Sequence, residues 1–364
     1  MLAARAPRGA ARIASPAQLS TAMERRYVAY GLRVRSVFAL AGMTPGDGPG
    51  TLPELMLTLV TPAQMRSSWD ERRARLLWRG RLGDGRELAV EGGPLGDLLF
   101  SYGRRARFRL GPDRRLLQCA PARTGLDWQR VLLGKVLGNV SMLRGREALH
   151  ASAVESLHGV VAILGPSGAG KSTLALELMR RGWPLFADDV LVMSTRAKRV
   201  TAHPATPHLT VSEREATGVR YVKDTSIRRL GSTLARFGDE RWLSARVASR
   251  APRRVSVLCL LDRAQSGRPE ARALPGNPLL LAPYMLGFRG DDERARRRFE
   301  LYGELAASAT TLRLSAHPGA PPAALAELLE EALPSPLAPE RPGTVLSRPR
   351  PAHAAPLEPL GSVA

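Results

Sequence analysis

The 364-residue chain is 44% hydrophobic and carries a formal net charge of +21 from 54 basic and 33 acidic side chains. Its longest uncharged stretch, residues 273–288, is broken by Pro275, Gly276, Pro278, Pro283 and Gly287, which excludes a helical membrane span. The charge alone points towards nucleic acid. Yet only Lys135, Lys171, Lys198 and Lys223 are lysines, the arginines are spread along the whole chain, and no aromatic-interleaved basic motif accompanies them. A general Arg, Ala, Gly and Pro bias accounts for the charge, and neither nucleic acid nor a membrane is expected as a partner.

Residues 1–22 contain Arg5, Arg8 and Arg12, no acidic side chain and no apolar core of a secretory signal. They are predicted to be a disordered basic leader. Cys119 and Cys259 stand in no metal-binding or redox spacing, which suits a reducing compartment, so the expected location is cytoplasmic. Residues 23–126 show short apolar runs (55–60, 76–80, 98–102 and 106–110) between turn signals at 46–48, 83–85 and 111–113. That pattern predicts a small β-rich domain. Over residues 127–145, Trp128, Leu132, Val136 and Val140 recur at helical spacing, with Asp127 as N-cap and Gly145 as stop, and predict a linking helix. Gly134 and Gly138 are costly inside it.

Residues 146–333 alternate strand and helix signals. Apolar runs at 160–164, 185–187, 255–261 and 312–314 read as strands; 171–181, 294–308 and 323–333 read as helices. The expected fold class is α/β, a P-loop domain with a mixed or parallel sheet preceded by the β-rich domain. Residues 334–364, rich in Pro and Ala, are predicted to be a disordered tail.

The strongest motif is Gly165-Pro166-Ser167-Gly168-Ala169-Gly170-Lys171-Ser172-Thr173, a full G-x-x-x-x-G-K-[ST] match between a strand and a helix. Its glycines let successive backbone N–H groups turn inward to phosphate oxygens, and the helix adds its positive end. Lys171 would reach the β- and γ-phosphates of ATP, and Ser172 would ligate Mg²⁺. Thr173 would cap or pack. Asp188-Asp189 follows the short strand 184–187. With residues 171–181 as crossover between parallel strands, both carboxylates fall on the sheet edge that carries the loop. One would take the proton of an attacking hydroxyl and the other hold Mg²⁺. We assign the base to Asp188 and the metal to Asp189 with Ser172, an assignment that the sequence would equally allow reversed. His150, just upstream of the loop, is the third candidate.

His150-Ala151-Ser152, the Gly165–Thr173 loop, Ala175-Leu176-Glu177-Leu178 with Arg181-Gly182, and Ala187-Asp188-Asp189 occur in one order at close spacing. Together they resemble the C-terminal kinase domain of the HPr kinase/phosphorylase family over residues 148–192. By that resemblance His150 falls on the active-site histidine, Asp188 on the catalytic aspartate, and Lys171 and Ser172 on the phosphate- and Mg²⁺-binding residues. The N-terminal half is more similar to divergent HPr-kinase-related proteins, some of which are peptide-tailoring kinases in lasso-peptide biosynthesis. The chain departs from the bifunctional members at residues 206–213, where no Glu-Ile-Arg-Gly-type segment is present. The resemblance therefore implies catalysis in the kinase direction only.

The expected function is an ATP-dependent kinase that transfers the γ-phosphoryl group to a hydroxyl, serine of a peptide or protein. A nucleotide-binding regulator without transferase activity and a small-molecule kinase are the alternatives. The paired carboxylates and His150 weigh against the first, because a pure binder needs little beyond the loop. Oligomeric state is left open, a homo-oligomer included. Lys171→Ala should abolish ATP binding or turnover while circular dichroism still reports a folded protein. Undiminished turnover would remove the P-loop assignment.

Overall fold

The computed structural model describes residues 24–82, 85–196, 199–212, 231–238, 240–245, 250–263, 267–286 and 292–333. The predicted leader and tail and residue 213 of the 206–213 segment lie outside them. No helix of the described residues is long and apolar enough to cross a membrane.

Short alternating segments build the first sheet. Its eight strands run in the order Arg25–Ala29, Leu32–Ser36, Glu54–Leu59, Leu116–Pro121, Ala106–Leu110, Leu98–Tyr102, Glu87–Gly92 and Arg75–Arg81. Leu32–Ser36 and Ala106–Leu110 bury every second residue, as a strand with one face on a core must. Phe100 pairs opposite Phe108 and both are fully buried. The helix Pro62–Ser67 starts on a Thr61/Gln64 capping box. It places Met65 in a small cluster with Leu99 and Ala120.

The second sheet has ten strands and one hub. Arg253–Arg263 is apolar on both faces through its middle, the pattern of a strand covered on both sides. It pairs in parallel with Gly159–Leu164 on one side and Thr310–Ala316 on the other, while Arg253 and Arg254 pair antiparallel with Arg199–His203. Cys259 is buried at its centre, and burial pushes its thiol up to about 12. A separate antiparallel sheet runs in the order His208–Ser212, Glu240–Ala245, Gly231–Phe237. Helices Lys171–Arg180, Asp292–Ser308 and Pro322–Ala332 match the predicted segments within a residue or two.

Gly159–Leu164 and Leu185–Ala187 point the same way and are joined by the helix Lys171–Arg180, as expected of a crossover, with the antiparallel strand Ala151–Ser156 between them. The expectation of one linking helix is corrected. The 127–145 segment is not one α-helix. It runs as Asp127–Val131, a π-helical turn Leu132–Val136, and Leu137–Leu143. Asp127 is its first helical residue, and Leu126 takes the N-cap position. Gly138 is needed there because a Cβ would lie 2.9 Å from Val190 Cγ1.

The first hairpin locks the two sheets together. Its turn, Tyr30-Gly31, has positive φ at both residues (54° and 71°), the geometry of a two-residue hairpin turn. The Tyr30 N–H donates to the Pro204 carbonyl (2.8 Å), its carbonyl accepts from the Ser141 hydroxyl (2.6 Å), and its phenol donates to the Leu133 carbonyl inside the π-turn (2.9 Å). One hydrophobic cluster extends from Tyr30, Leu55 and Phe100 through Trp128 and Leu132 to Ala162 and Leu258. Tyr30→Phe leaves the Leu133 carbonyl without this donor, so we expect a loss of about 1–3 kcal/mol in denaturant unfolding. A stability equal to wild type would show that the phenol contributes no net hydrogen bond.

Candidate active site

Strand register assembles the site. Ala151 pairs with Leu164 and Ser152 with Ile163, so the start of the inserted strand abuts the residues that lead into the loop. On its other side Ala153 pairs with Ala187. An antiparallel strand begins where its parallel-directed neighbours end. His150 and Ser152 therefore meet Gly165 and Asp188 on one edge, although they enter from the opposite chain direction.

Gly168 and Gly170 sit at φ 77° and 93°, conformations that strain any residue with a Cβ. Gly170 is the N-cap of Lys171–Arg180. At Gly165 a Cβ would lie 2.8 Å from the Leu261 carbonyl oxygen, so the loop rests directly on the hub strand. Arg263, at the end of that strand, holds the loop from below: its Nε donates to the Ala169 carbonyl (2.7 Å) and its Nη1 to the His317 carbonyl (3.2 Å). The Lys171 ammonium donates to the carbonyls of Gly165 and Pro166, both at 3.0 Å.

Asp188 is buried and accepts hydrogen bonds from three elements. Its Oδ1 takes the hydroxyls of Ser152 (2.7 Å) and Ser172 (2.9 Å), and its Oδ2 takes the Thr210 N–H (3.3 Å). Burial first, then the charge of Asp189, raise its pKa to about 6, against the opposing pull of those donors. Asp189 goes the other way. The Lys135 ammonium, 3.1 Å from its Oδ2, holds it below the usual carboxylate range. The surroundings thus push the pKa values of two adjacent carboxyls in opposite directions, the arrangement from which acid–base roles can arise.

Asp189 also carries backbone strain. Its φ is 65°, and the Val190 N–H donates back to the Asp188 carbonyl at 2.8 Å, which closes a tight three-residue turn. His150 Nδ1 lies 3.0 Å from the Asp189 carbonyl oxygen. A carbonyl only accepts, so the proton is on Nδ1. Burial, followed by the Lys171 charge, lowers the His150 pKa and keeps the ring neutral. The strained turn is held by a cation on its side chain and an imidazole on its carbonyl.

These groups line a cavity of about 390 Å³, a volume within the range of small-molecule sites. Of the residues singled out from sequence, His150, Ser167, Gly168, Gly170, Lys171, Ser172, Thr173, Asp188 and Asp189 all line it. Gly165 and Ala169 are not in the lining: the first packs on Leu261, and Ala169 is buried with its N–H donated to the Pro166 carbonyl. The pairing of Ser172 with Asp189 was expected at the metal; the direct bond from Ser172 goes to Asp188 instead.

Sequence reasoning missed Lys135, Ser152, Thr210 and Arg81, which reach the site from the π-turn, the inserted strand, the three-stranded sheet and the first sheet. Lys135 did leave a signal. It is one of four lysines in an arginine-rich chain and lies between two glycines of a helix. Ser152 stood inside the quoted His-Ala-Ser motif.

The chemistry of the donor set can be tested against Mg²⁺. Among the described residues no group of three or more His, Cys, Asp or Glu side chains forms a protein cage. Ser172 offers a hydroxyl beside the loop, and Asp189, which lines the same cavity, a carboxylate. Mg²⁺ in nucleotide sites is held in this manner, by one or two side chains and substrate phosphates. The residues fit the ion.

No protein-family model matches the chain. It is 31% identical over 155 residues to an HPr kinase/phosphorylase of Azoarcus sp. (strain BH72), a match covering 43% of this chain and 42% of that protein. It is 40% identical over 80 residues to an HPr kinase/phosphorylase of Aromatoleum aromaticum, covering 22% and 24%. The matches thus span less than half the length of these curated relatives. Among solved structures, the Hpr(Ser) kinase/phosphatase from Coxiella burnetii is similar at 16% identity and a TM-score of 0.27, covering 50% of this chain and 94% of that one.

If Lys135 keeps Asp189 ionised and its turn in place, Lys135→Met should lower turnover by about 10-fold or more with ATP affinity kept within a few-fold. Steady-state kinetics with nucleotide titration check this. Wild-type turnover would make the pair merely structural.

Proposed function

We propose that this chain, HPr-kinase-like along the matched stretch, is an ATP-dependent kinase that transfers the γ-phosphoryl group to a hydroxyl, serine of a peptide or protein. The observation that carries the proposal is the placement of Asp188: a buried carboxyl that lines the loop's cavity and accepts the hydroxyl of Ser172 at the first turn of the P-loop helix, with burial and Asp189 raising its pKa to about 6. A base of that strength accepts a hydroxyl proton at neutral pH and still releases it afterwards. The curated relatives named HPr kinase/phosphorylase support the same chemistry.

The roles follow from position. The backbone N–H groups around Gly168 and Gly170, with Lys171, would bind the phosphates. Ser172 would hold Mg²⁺, which when bound neutralises phosphate charge. Asp189, kept anionic by Lys135, would support the metal side, and Asp188 would take the acceptor's proton. His150 would keep Asp189 and its turn fixed. Phosphoryl transfer asks little more of a protein than position and charge. At Thr206, His208 and Thr210 the cavity wall offers hydroxyls and an imidazole with a lowered pKa. The sequence at 206–213 carries no acidic-Arg-Gly segment, and on that ground the forward direction is proposed.

The test is a pH profile. Asp188 serves as base only when deprotonated, and its raised pKa sets the limit. Activity as kcat/KM should therefore climb with pH up to about 6 and level off above. Asp189→Asn removes a charge that raises Asp188, so the limb should move to lower pH. Asp188→Asn should lose about 10²–10⁴ in turnover with ATP affinity kept. Near-wild-type turnover in Asp188→Asn, with the loss appearing in Asp189→Asn, would reverse the roles. Absence of radiolabel transfer from γ-labelled ATP to any hydroxyl acceptor would favour the nucleotide-binding regulator.

A further inference from the structure

The first sheet ends on a strand that leads into the active-site cavity. Arg75–Arg81 pairs with Glu87–Gly92 on one side, and among the described residues nothing pairs with its other side. Such an edge is a row of backbone donors and acceptors ready for another strand. Its side chains are unusual for an edge. Leu76, Leu77 and Trp78 are 48%, 48% and 45% exposed, whereas most large apolar residues in the rest of the sheet are buried in two clusters, with Leu116 at 38% an exception. Arg75, Arg79 and Arg81 flank them and are exposed.

The pairing is irregular within this apolar run. Leu77 is an extra residue between the Leu76–Glu91 and Trp78–Val90 pairs, so the strand bulges there. From Trp78 onward the pairing is regular through Arg81. The Trp78 indole lies over Gly80, where a Cβ would come within 2.5 Å of its ring. The strand then runs to Arg81 and Leu82, which form part of the wall of the cavity that contains Asp188 and Lys171.

We propose that this edge takes up an extended, acidic peptide as an added β-strand and leads it into the cavity. Three observations select that occupant. Strand addition uses an exposed edge with main-chain hydrogen bonds, and alternate side chains supply specificity. Exposed tryptophan and arginine are the residues most used as binding anchors. Arg75 and Arg81, with Arg79 already paired to Glu87 of the neighbouring strand at 3.4 Å, leave this edge positive; that charge attracts carboxylates and opposes a second copy of this chain, which would bring the same guanidiniums against it. The direction of the strand, ending at Leu82 on the cavity wall, sets where the peptide arrives. That destination rests on the phosphotransfer proposal above, but the docking itself does not.

The test uses the full chain without ATP. The probe is a fluorescent peptide of alternating valine and glutamate with one serine, and its counterpart has lysine in place of glutamate. The acidic peptide should bind at least about 10-fold more tightly, and the difference should shrink as salt rises. Hydrogen exchange should then show new protection of the amides of residues 75–81. Leu77→Ser with Trp78→Ala, both at exposed positions, should weaken binding about 10-fold. Equal binding of the two peptides, binding without protection of residues 75–81, or no binding of either would overturn the proposal. So would a dimer in sedimentation that the double substitution dissolves, because a second copy would then cover the edge. Phosphotransfer plays no part in these measurements, so failure of the kinase proposal leaves them readable.

Discussion

Everything in the site turns on one buried carboxylate. Asp188 accepts from Ser152 on the inserted strand, Ser172 on the P-loop helix and Thr210 on the three-stranded sheet. These are three different elements of the fold. A buried acceptor left without donors costs about 1–3 kcal/mol, and more when it is charged. Satisfying Asp188 therefore fixes where the loop, the strand and the smaller sheet meet. The same donors moderate its pKa, because they favour the charged form that burial opposes. One set of hydrogen bonds joins these elements and favours the charged carboxylate.

Asp189 shows the complementary case. A non-glycine residue at φ 65° costs of order 1–3 kcal/mol and persists only when its surroundings hold it. Here Lys135 binds the side chain and His150 the carbonyl. Strain of this kind needs a stiff frame. The frame is the continuous core that joins the Tyr30-Gly31 hairpin, the π-turn and the P-loop sheet.

Much of this was legible in the sequence where chemistry and spacing coincide. The loop 165–173 has one workable geometry between a strand and a helix, and Asp188-Asp189 was correctly placed on the edge that carries it. The route between them was not legible. A run such as 151–156 fixes a strand but not its direction, and one antiparallel insertion satisfies the same pattern as a direct crossover. Lys135 was hidden for a different reason. Helical periodicity assigned its neighbours Leu132, Val136 and Val140 to a core stripe, and a π-turn leaves no periodic trace over five residues. Ser152 could not be ranked above other serines without the register that sets it opposite Ile163.

The π-turn has a geometric consequence of its own. An α-helix advances about 100° per residue, so widening one turn by a residue puts the two ends of the segment out of phase by about that angle. The first part is buried at Trp128 and Gln129, which meet Phe38, Ala39 and Ala41 of the β-rich half. The second part turns Gly138 towards Val190 beside the carboxylates. A uniform helix of the same length would present one stripe to one neighbour. This one acts as a mechanical phase-shifter, a single rod able to serve two layers that lie in different directions.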